Sequence, residues 1–154
     1  MNRLQRIQDF LNLKRFAFVG VSRRHDDFSR VLFREFQARG YQPVPVNPEA
    51  TDMDGAQCYA HVTDIQPPVE GALLLTSPAA TGAVVNECAT AGITRVWMFR
   101  GAGSGAVNPD AVRFCDAHGI SVIPGECPFM FLPQGAWVHR LHGFVRKITG
   151  SYPR

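Results

Sequence analysis

The chain has 154 residues, 45% of them hydrophobic, and a formal charge of +3 carried by fourteen arginines and two lysines scattered without a basic run. That length fits one domain with a full core and leaves little room for a second, and charge so dilute does not argue for nucleic acid. No apolar run approaches the roughly 18 residues a membrane span needs, and the charged N-terminus lacks the apolar core of a secretory signal. Cys58, Cys88, Cys115 and Cys127 lie far apart with no C-x-x-C pair, so reduced thiols in a cytoplasmic protein are expected.

In chain order, residues 3 to 13 place Leu4, Ile7, Phe10 and Leu11 on one helical face, which predicts an amphipathic helix packed on a sheet or on a second subunit. The stretch FAFVGVSRRHDDFSR, residues 16 to 30, then runs an apolar strand into Gly20, Val21, Ser22, Arg23 and Arg24 and on to a helix start near Asp26 or Asp27. Such a turn offers backbone N–H groups, a helix dipole and fixed positive charge to a phosphate. A dinucleotide fingerprint there would read G-x-G-x-x-G, yet Ser22 and His25 stand at its second and third glycines. The two arginines instead suit a ligand richer in negative charge than NAD. The helix that follows carries Phe28, Val31, Leu32, Phe36 and Arg39 at helical spacing.

Glycine closes a helix before an apolar strand three times, at Gly40, Gly92 and Gly119, where the left-handed turn costs it little. Ser77-Pro78 and Asn108-Pro109 each set a capping side chain ahead of proline at the first helical position. The strands FAFVGV, PVPV, ALLLT, RVWMF and SVI read as continuous apolar runs, the pattern of parallel strands covered on both faces. The fold class is therefore α/β. The expected domain is Rossmann-like and three-layered, a mostly parallel sheet of about five strands with helices on both faces. The first strand is expected at the centre, with the second and third on one side and the later strands on the other. One domain spans residues 1–154, and the terminal segment 133–148, with Trp137, Val138, Leu141, Phe144, Val145 and Ile148 on one face, predicts a last amphipathic helix.

V-G-x-S-R after the first strand, P-V-N-P after the second, Cys58-Tyr59 between, and a proline-started helix after the third together resemble the stand-alone CoA-binding domain proteins, and the CoA-binding domain of the succinyl-CoA synthetase alpha subunit. The likeness covers about residues 10 to 130, on motifs that are individually short but correctly ordered. It implies coenzyme A or an acyl-CoA as ligand. By the resemblance Gly20, Val21, Ser22, Arg23 and Arg24 form the first phosphate loop, and Asn47 and Pro48 end the second strand beside the ligand. Ser77 and Pro78 line the third loop, and Phe99, Arg100 and Gly101 the fourth. Val21 stands where the family usually has alanine, and Asp26-Asp27 sets two acids near an anion loop; one of them reads as the helix cap.

The chemistry of the residues agrees. CoA carries a pyrophosphate and a 3′-phosphate, whose oxygens guanidinium groups bind in bidentate fashion. An NAD site wants a carboxylate at the end of the second strand, and there the order is Val46-Asn47-Pro48, with Glu49 only after the proline. The segment FRGAGSGA, residues 99 to 106, reads either as a second phosphate cradle or as a loop joining Phe99 to the helix at Asn108. Cys127 reads as a small buried strand-end residue or as a thiol near the sulfur end of CoA. His139, His142 and Arg146 form a basic stripe on the last helix that is solvated, subunit-facing or anion- or metal-binding. The expectation is a small protein that binds a nucleotide-type ligand with no catalytic constellation of its own. An NADP-linked oxidoreductase and a protein-interaction module with a degenerate nucleotide site are the rival classes, and a homodimer through the terminal helices stays open.

Overall fold

The computed structural model describes residues 1–101 and 103–132; the expected helix at 133–148, with His139 and His142, lies outside the described residues. Five strands, β1 (Arg15–Val19), β2 (Gln42–Val46), β5 (Gly71–Leu74), β6 (Arg95–Met98) and β7 (Ser121–Pro124), form one parallel sheet. A two-residue hairpin, β3 (Asp52–Met53) and β4 (Ala56–Gln57), stands apart from it. Among the described residues, four helices accompany the strands: α1 (Arg3–Leu11), α2 (Phe28–Ala38), α3 (Pro78–Thr90) and α4 (Pro109–Ala117). The continuous apolar runs are explained by the covering of both sheet faces, since nearly every strand residue is buried.

The sheet order is β2-β1-β5-β6-β7. The expectation that the second and third strands share a side is therefore corrected: the third long strand, β5, lies across β1 from β2. The reason is the connection 47–70. It contains the hairpin and one 3-10 turn at Val62–Asp64 instead of a long helix, and it returns over the face opposite α2. Crossovers in both directions from β1 stay right-handed only if their connections use opposite faces. The point where strand order reverses thus falls between β1 and β5, where open α/β sheets take ligands at the strands' carboxyl ends.

Side-chain alternation separates the two cores. Phe16, Phe18, Leu73, Trp97 and Ile123 face α1 and α2 in an aromatic cluster, with Phe10 set edge-on to Trp97 at 5.5 Å and Phe16 to Phe36 at 5.1 Å. Ala17, Val19, Val46, Ala72, Leu74, Val96 and Val122 face α3, α4 and the 3-10 turn in an aliphatic cluster. The first helix packs through Ile7, Phe10 and Leu11, while Leu4, expected on the same face, is exposed. In α2 the buried stripe is Ser29, Arg30, Leu32, Phe33 and Phe36, with Phe28 and Val31 only half-buried. The face is turned toward Phe33 and Arg30 from the one expected. Edge position suits β2: the Pro45 carbonyl points outward and accepts from the Tyr59 N–H at 3.0 Å, so the N–H groups that Pro43 and Pro45 lack fall on the side away from β1.

Helix ends follow the expected signals. Asp27, Ser77 and Asn108 cap α2, α3 and α4 with their side chains, the last two ahead of proline. Gly40, Gly92 and Gly119 follow α2, α3 and α4 at positive φ.

Candidate functional site

Gly20 ends β1 at φ +92°, and a Cβ there would meet the Leu75 carbonyl oxygen at 2.5 Å. Only glycine lets the carboxyl ends of β1 and β5 come so close, which sets the floor of the crevice. Above it the chain makes a long turn before α2. Its shape comes from serine hydroxyls: the Ser22 N–H donates to Ser29 Oγ at 2.8 Å, and the Arg24 N–H to Ser22 Oγ at 3.0 Å.

The helix start itself is already occupied by an anion of the protein. The Asp27 carboxylate accepts from both the N–H and the hydroxyl of Ser29, at 2.9 and 2.7 Å. One of the two acids is thus the cap, as expected, and the expectation of a helix dipole open to phosphate is corrected. Positive charge at this loop comes from the guanidinium groups. Arg23 pairs with Glu49 at 2.8 Å and Arg24 with Asp26 at 3.4 Å, all four side chains more than 60% exposed. Exposed pairs of this kind contribute little, and either arginine can exchange its carboxylate for a phosphate.

A cavity of about 810 Å³ opens beside this loop at the β1–β2 end of the sheet. Its walls are residues 19–24, residues 46–49 at the end of β2, residues 60–62, and Thr76, Ala80, Val84 and Glu87. Seven expected site residues, Gly20, Val21, Ser22, Arg23, Arg24, Asn47 and Pro48, line it together. Asn47 holds the two loops in register: its Nδ2 donates to the Val21 carbonyl at 3.0 Å and its Oδ1 accepts from the Glu49 N–H at 2.8 Å. That second bond turns the chain after Pro48, so Glu49 does reach the rim despite the proline. A carboxylate therefore stands near the end of β2, where the sequence argument against NAD assumed none, and Arg23 engages it.

A smaller cleft of about 280 Å³ adjoins the first and shares Gly20 and Thr76 with it. Ser77 and Phe99 line this second cleft, with Phe28 and Phe99 rings 5.4 Å apart. Three expected residues line neither cavity. Pro78 opens α3 and its carbonyl accepts from Asn108 Nδ2 at 2.7 Å. Arg100 folds back on its own loop, its Nε donating to the Gly103 carbonyl at 2.9 Å and its N–H to Glu126 at 3.1 Å. Gly101 sits half-buried within that loop. The segment after β6 is closed on itself by the Ala106 N–H on the Phe99 carbonyl at 2.8 Å, the arrangement of a connecting loop.

Cys127 is 7% exposed and burial pushes its thiol up to about 12, so the thiol is protonated at neutral pH and a poor nucleophile. Cys88 and Cys115 are fully buried, as expected of core residues, and burial raises them to about 12 and about 11.

Sequence reasoning missed the group that anchors the loop. Arg30 lies on the buried side of α2, with its side chain 8% exposed. Its Nη1 donates to the carbonyls of Ser22 and Arg23 at 3.3 and 3.2 Å, and its Nε and Nη2 meet Asp54 Oδ2 at 3.0 Å. Asp54 sits at the tip of the β3–β4 hairpin, with φ of +49°, beside Gly55 at +81°. Two positive-φ residues make the tight hairpin turn that Asp-Gly favours, and the Asp54-Gly55 dipeptide was the signal available for it. A second missed feature is Thr81, fully buried, whose Oγ1 lies 2.6 Å from Thr76 Oγ1 and donates toward Ala106 at 2.7 Å. It joins the loops after β5 and β6.

The fold agrees with comparison to known proteins. The family model described as the CoA binding domain matches residues 14–133. The chain is 27% identical over 114 residues to the uncharacterized protein YneT of Bacillus subtilis (strain 168), covering 74% of this chain and 82% of that protein. A solved structure of a hypothetical protein from Pyrococcus horikoshii OT3 superposes with a TM-score of 0.74 at 22% identity, covering 94% of this chain and 92% of that one. The dinucleotide-forming acetyl-coenzyme A synthetase 1 of Ca. Korarchaeum cryptofilum, solved with phosphate and ADP, gives a TM-score of 0.62 at 23% identity over 71% of this chain and 25% of that one. At such identities the structural likeness shows the fold. The family match begins one residue before β1, takes in the Arg23–Arg24 loop and all five sheet strands, and establishes that this chain belongs to the CoA-binding domain family.

Proposed function

We propose that this chain binds coenzyme A, free or acylated, noncovalently in the cavity beside the first loop, and serves as a carrier, sensor or regulatory module with no chemistry of its own. The observation that carries this reading is the division of one cavity into two kinds of wall. Arg23 and Arg24 stand at its rim, and Val19, Val46, Val62 and Val84 line its interior. A ligand that joins a flat apolar base to several phosphates matches both ends at once. A volume of about 810 Å³ is in the range of nucleotide and cofactor sites. Membership of the CoA-binding domain family supports the choice of CoA among such ligands.

The test is calorimetric titration of the nucleotide-free protein with CoA, dephospho-CoA, NAD and NADP at one ionic strength. CoA is expected to bind, and dephospho-CoA to bind more weakly because it lacks the 3′-phosphate. Arg23→Ala with Arg24→Ala is expected to weaken CoA more than dephospho-CoA, since a hydrogen bond to a charged group contributes about 1.5–3 kcal/mol. Heat from NADP with none from CoA would replace this reading with the oxidoreductase one. Silence toward all four ligands would favour a protein-interaction module.

A further inference from the structure

The cavity has a polar end far from the arginines. Along α3, Ala80, Val84 and Glu87 follow at helical spacing and present one stripe to the cavity. From Ala80 to Glu87 the stripe spans about 10 Å at 1.5 Å per residue, and it descends from the strands' carboxyl ends, where the phosphate loop lies. Val62 stands on the opposing segment, so the middle of this passage is a slot between apolar walls. At its foot Glu87 meets His61, with His61 Nδ1 3.4 Å from Glu87 Oε1, and both residues line the cavity. The Glu87 side chain is 33% exposed and that of His61 56%. The imidazole thus lies beside one carboxylate oxygen, and the other is available to a donor that enters the slot.

The stripe, about 10 Å long at 1.5 Å per residue, is of the order of a nucleoside in length, so a ligand whose phosphates reach Arg23 and Arg24 can lay its base along it. The apolar walls suit the faces of a purine, and a carboxylate at the end of the slot suits an exocyclic amino group, a donor, and opposes a carbonyl oxygen, an acceptor. We infer that Glu87, with His61 beside it, selects a 6-aminopurine over a 6-oxopurine at the base end of the cavity. This rests on the CoA reading above and adds to it the residue that reads the base.

The experiment compares CoA with its deaminated analogue, in which hypoxanthine replaces adenine and the phosphates and pantetheine arm are unchanged. Dissociation constants are measured for the wild-type chain, Glu87→Ala and Glu87→Gln, with folding of each checked by circular dichroism. The wild-type chain is expected to prefer CoA by tenfold or more, because a carboxylate set against the exocyclic position meets a donor in adenine and an acceptor in hypoxanthine, whose new donor, N1–H, lies at the neighbouring ring position. Glu87→Ala is expected to bring the ratio close to one, mainly by loss of CoA affinity, and Glu87→Gln, whose amide can turn its oxygen to an amino group or its NH2 to a carbonyl, to bring it close to one by gain of affinity for the analogue. Equal binding of the two ligands by the wild-type chain, or an unchanged preference in Glu87→Ala, would overturn the assignment to Glu87 while leaving the CoA reading intact. Failure of the wild-type chain to bind CoA at all would overturn the CoA reading, and this inference with it.

Discussion

Asp54→Ala removes a carboxylate that no site motif contains, yet it is expected to be among the costliest polar substitutions in the molecule. The side chains of Arg30 and Asp54 are only 8% and 16% exposed, and the Asp54 carboxylate also lies 3.8 Å from Arg34. Without it the Arg30 guanidinium keeps its bonds to the Ser22 and Arg23 carbonyls but stays buried as an uncompensated charge. Breaking a buried pair from one side costs about 3–5 kcal/mol, a large part of the roughly 5–15 kcal/mol that holds a domain folded. With a urea slope of about 2 kcal/mol/M, the midpoint is expected to fall by roughly 1.5–2.5 M. The comparison is Asp26→Ala, which breaks the Arg24 pair where both side chains are more than 70% exposed and is expected to cost less than about 1 kcal/mol. Joint replacement, Arg30→Met with Asp54→Asn, which keeps a residue suited to the positive φ at the hairpin tip, is expected to recover most of the stability. It should nonetheless release the phosphate loop, seen as faster amide hydrogen exchange across residues 21–25 with the sheet unchanged. If Asp54→Ala cost no more than Asp26→Ala, or if the double replacement left loop exchange as it was, the anchoring role of Arg30 would be refuted.

Two further predictions concern backbone and thiols. Gly20→Ala forces a Cβ against the Leu75 carbonyl at φ +92°, so a loss of more than about 2 kcal/mol is expected by denaturation; Gly82→Ala in the open interior of α3 is expected to gain up to about 1 kcal/mol. Iodoacetamide at pH 8 is expected to label the native protein far more slowly than the urea-unfolded chain, since burial raises Cys58 and pushes Cys88, Cys115 and Cys127 to about 11–12; fast native labelling of Cys127, read by mass spectrometry, would return it to consideration as a reactive thiol. The same shifts fix a sign. The folded chain keeps thiol protons that the unfolded chain releases above its ordinary value of 9.0, so their contribution to stability is complete below pH 9 and falls as pH rises toward 12.

Local order was legible in the sequence wherever it depends on neighbours along the chain. The helix caps at Asp27, Ser77 and Asn108 and the glycines that close three helices are fixed by backbone geometry within a few residues. The buried parallel strands announce themselves because both faces must be apolar. The seven loop residues that share one cavity follow from the same logic, since strand ends in such a sheet converge on one edge. Tertiary structure alone decided what depends on partners distant in sequence. The placement of β5 across β1 from β2 is set by which face the connection 47–70 can cover, and that is a matter of packing. The burial of Arg30 is invisible to helical periodicity, because a charged residue enters a core only where another segment supplies its counter-charge, here Asp54, 24 residues on. For the same reason the roles of Arg23 and Arg100 diverge: both are arginines after a strand, but one has Asn47, Pro48 and a cavity beside it and the other turns its guanidinium onto its own loop. A residue type states the chemistry a side chain can do, and the fold decides whether anything is within reach of it.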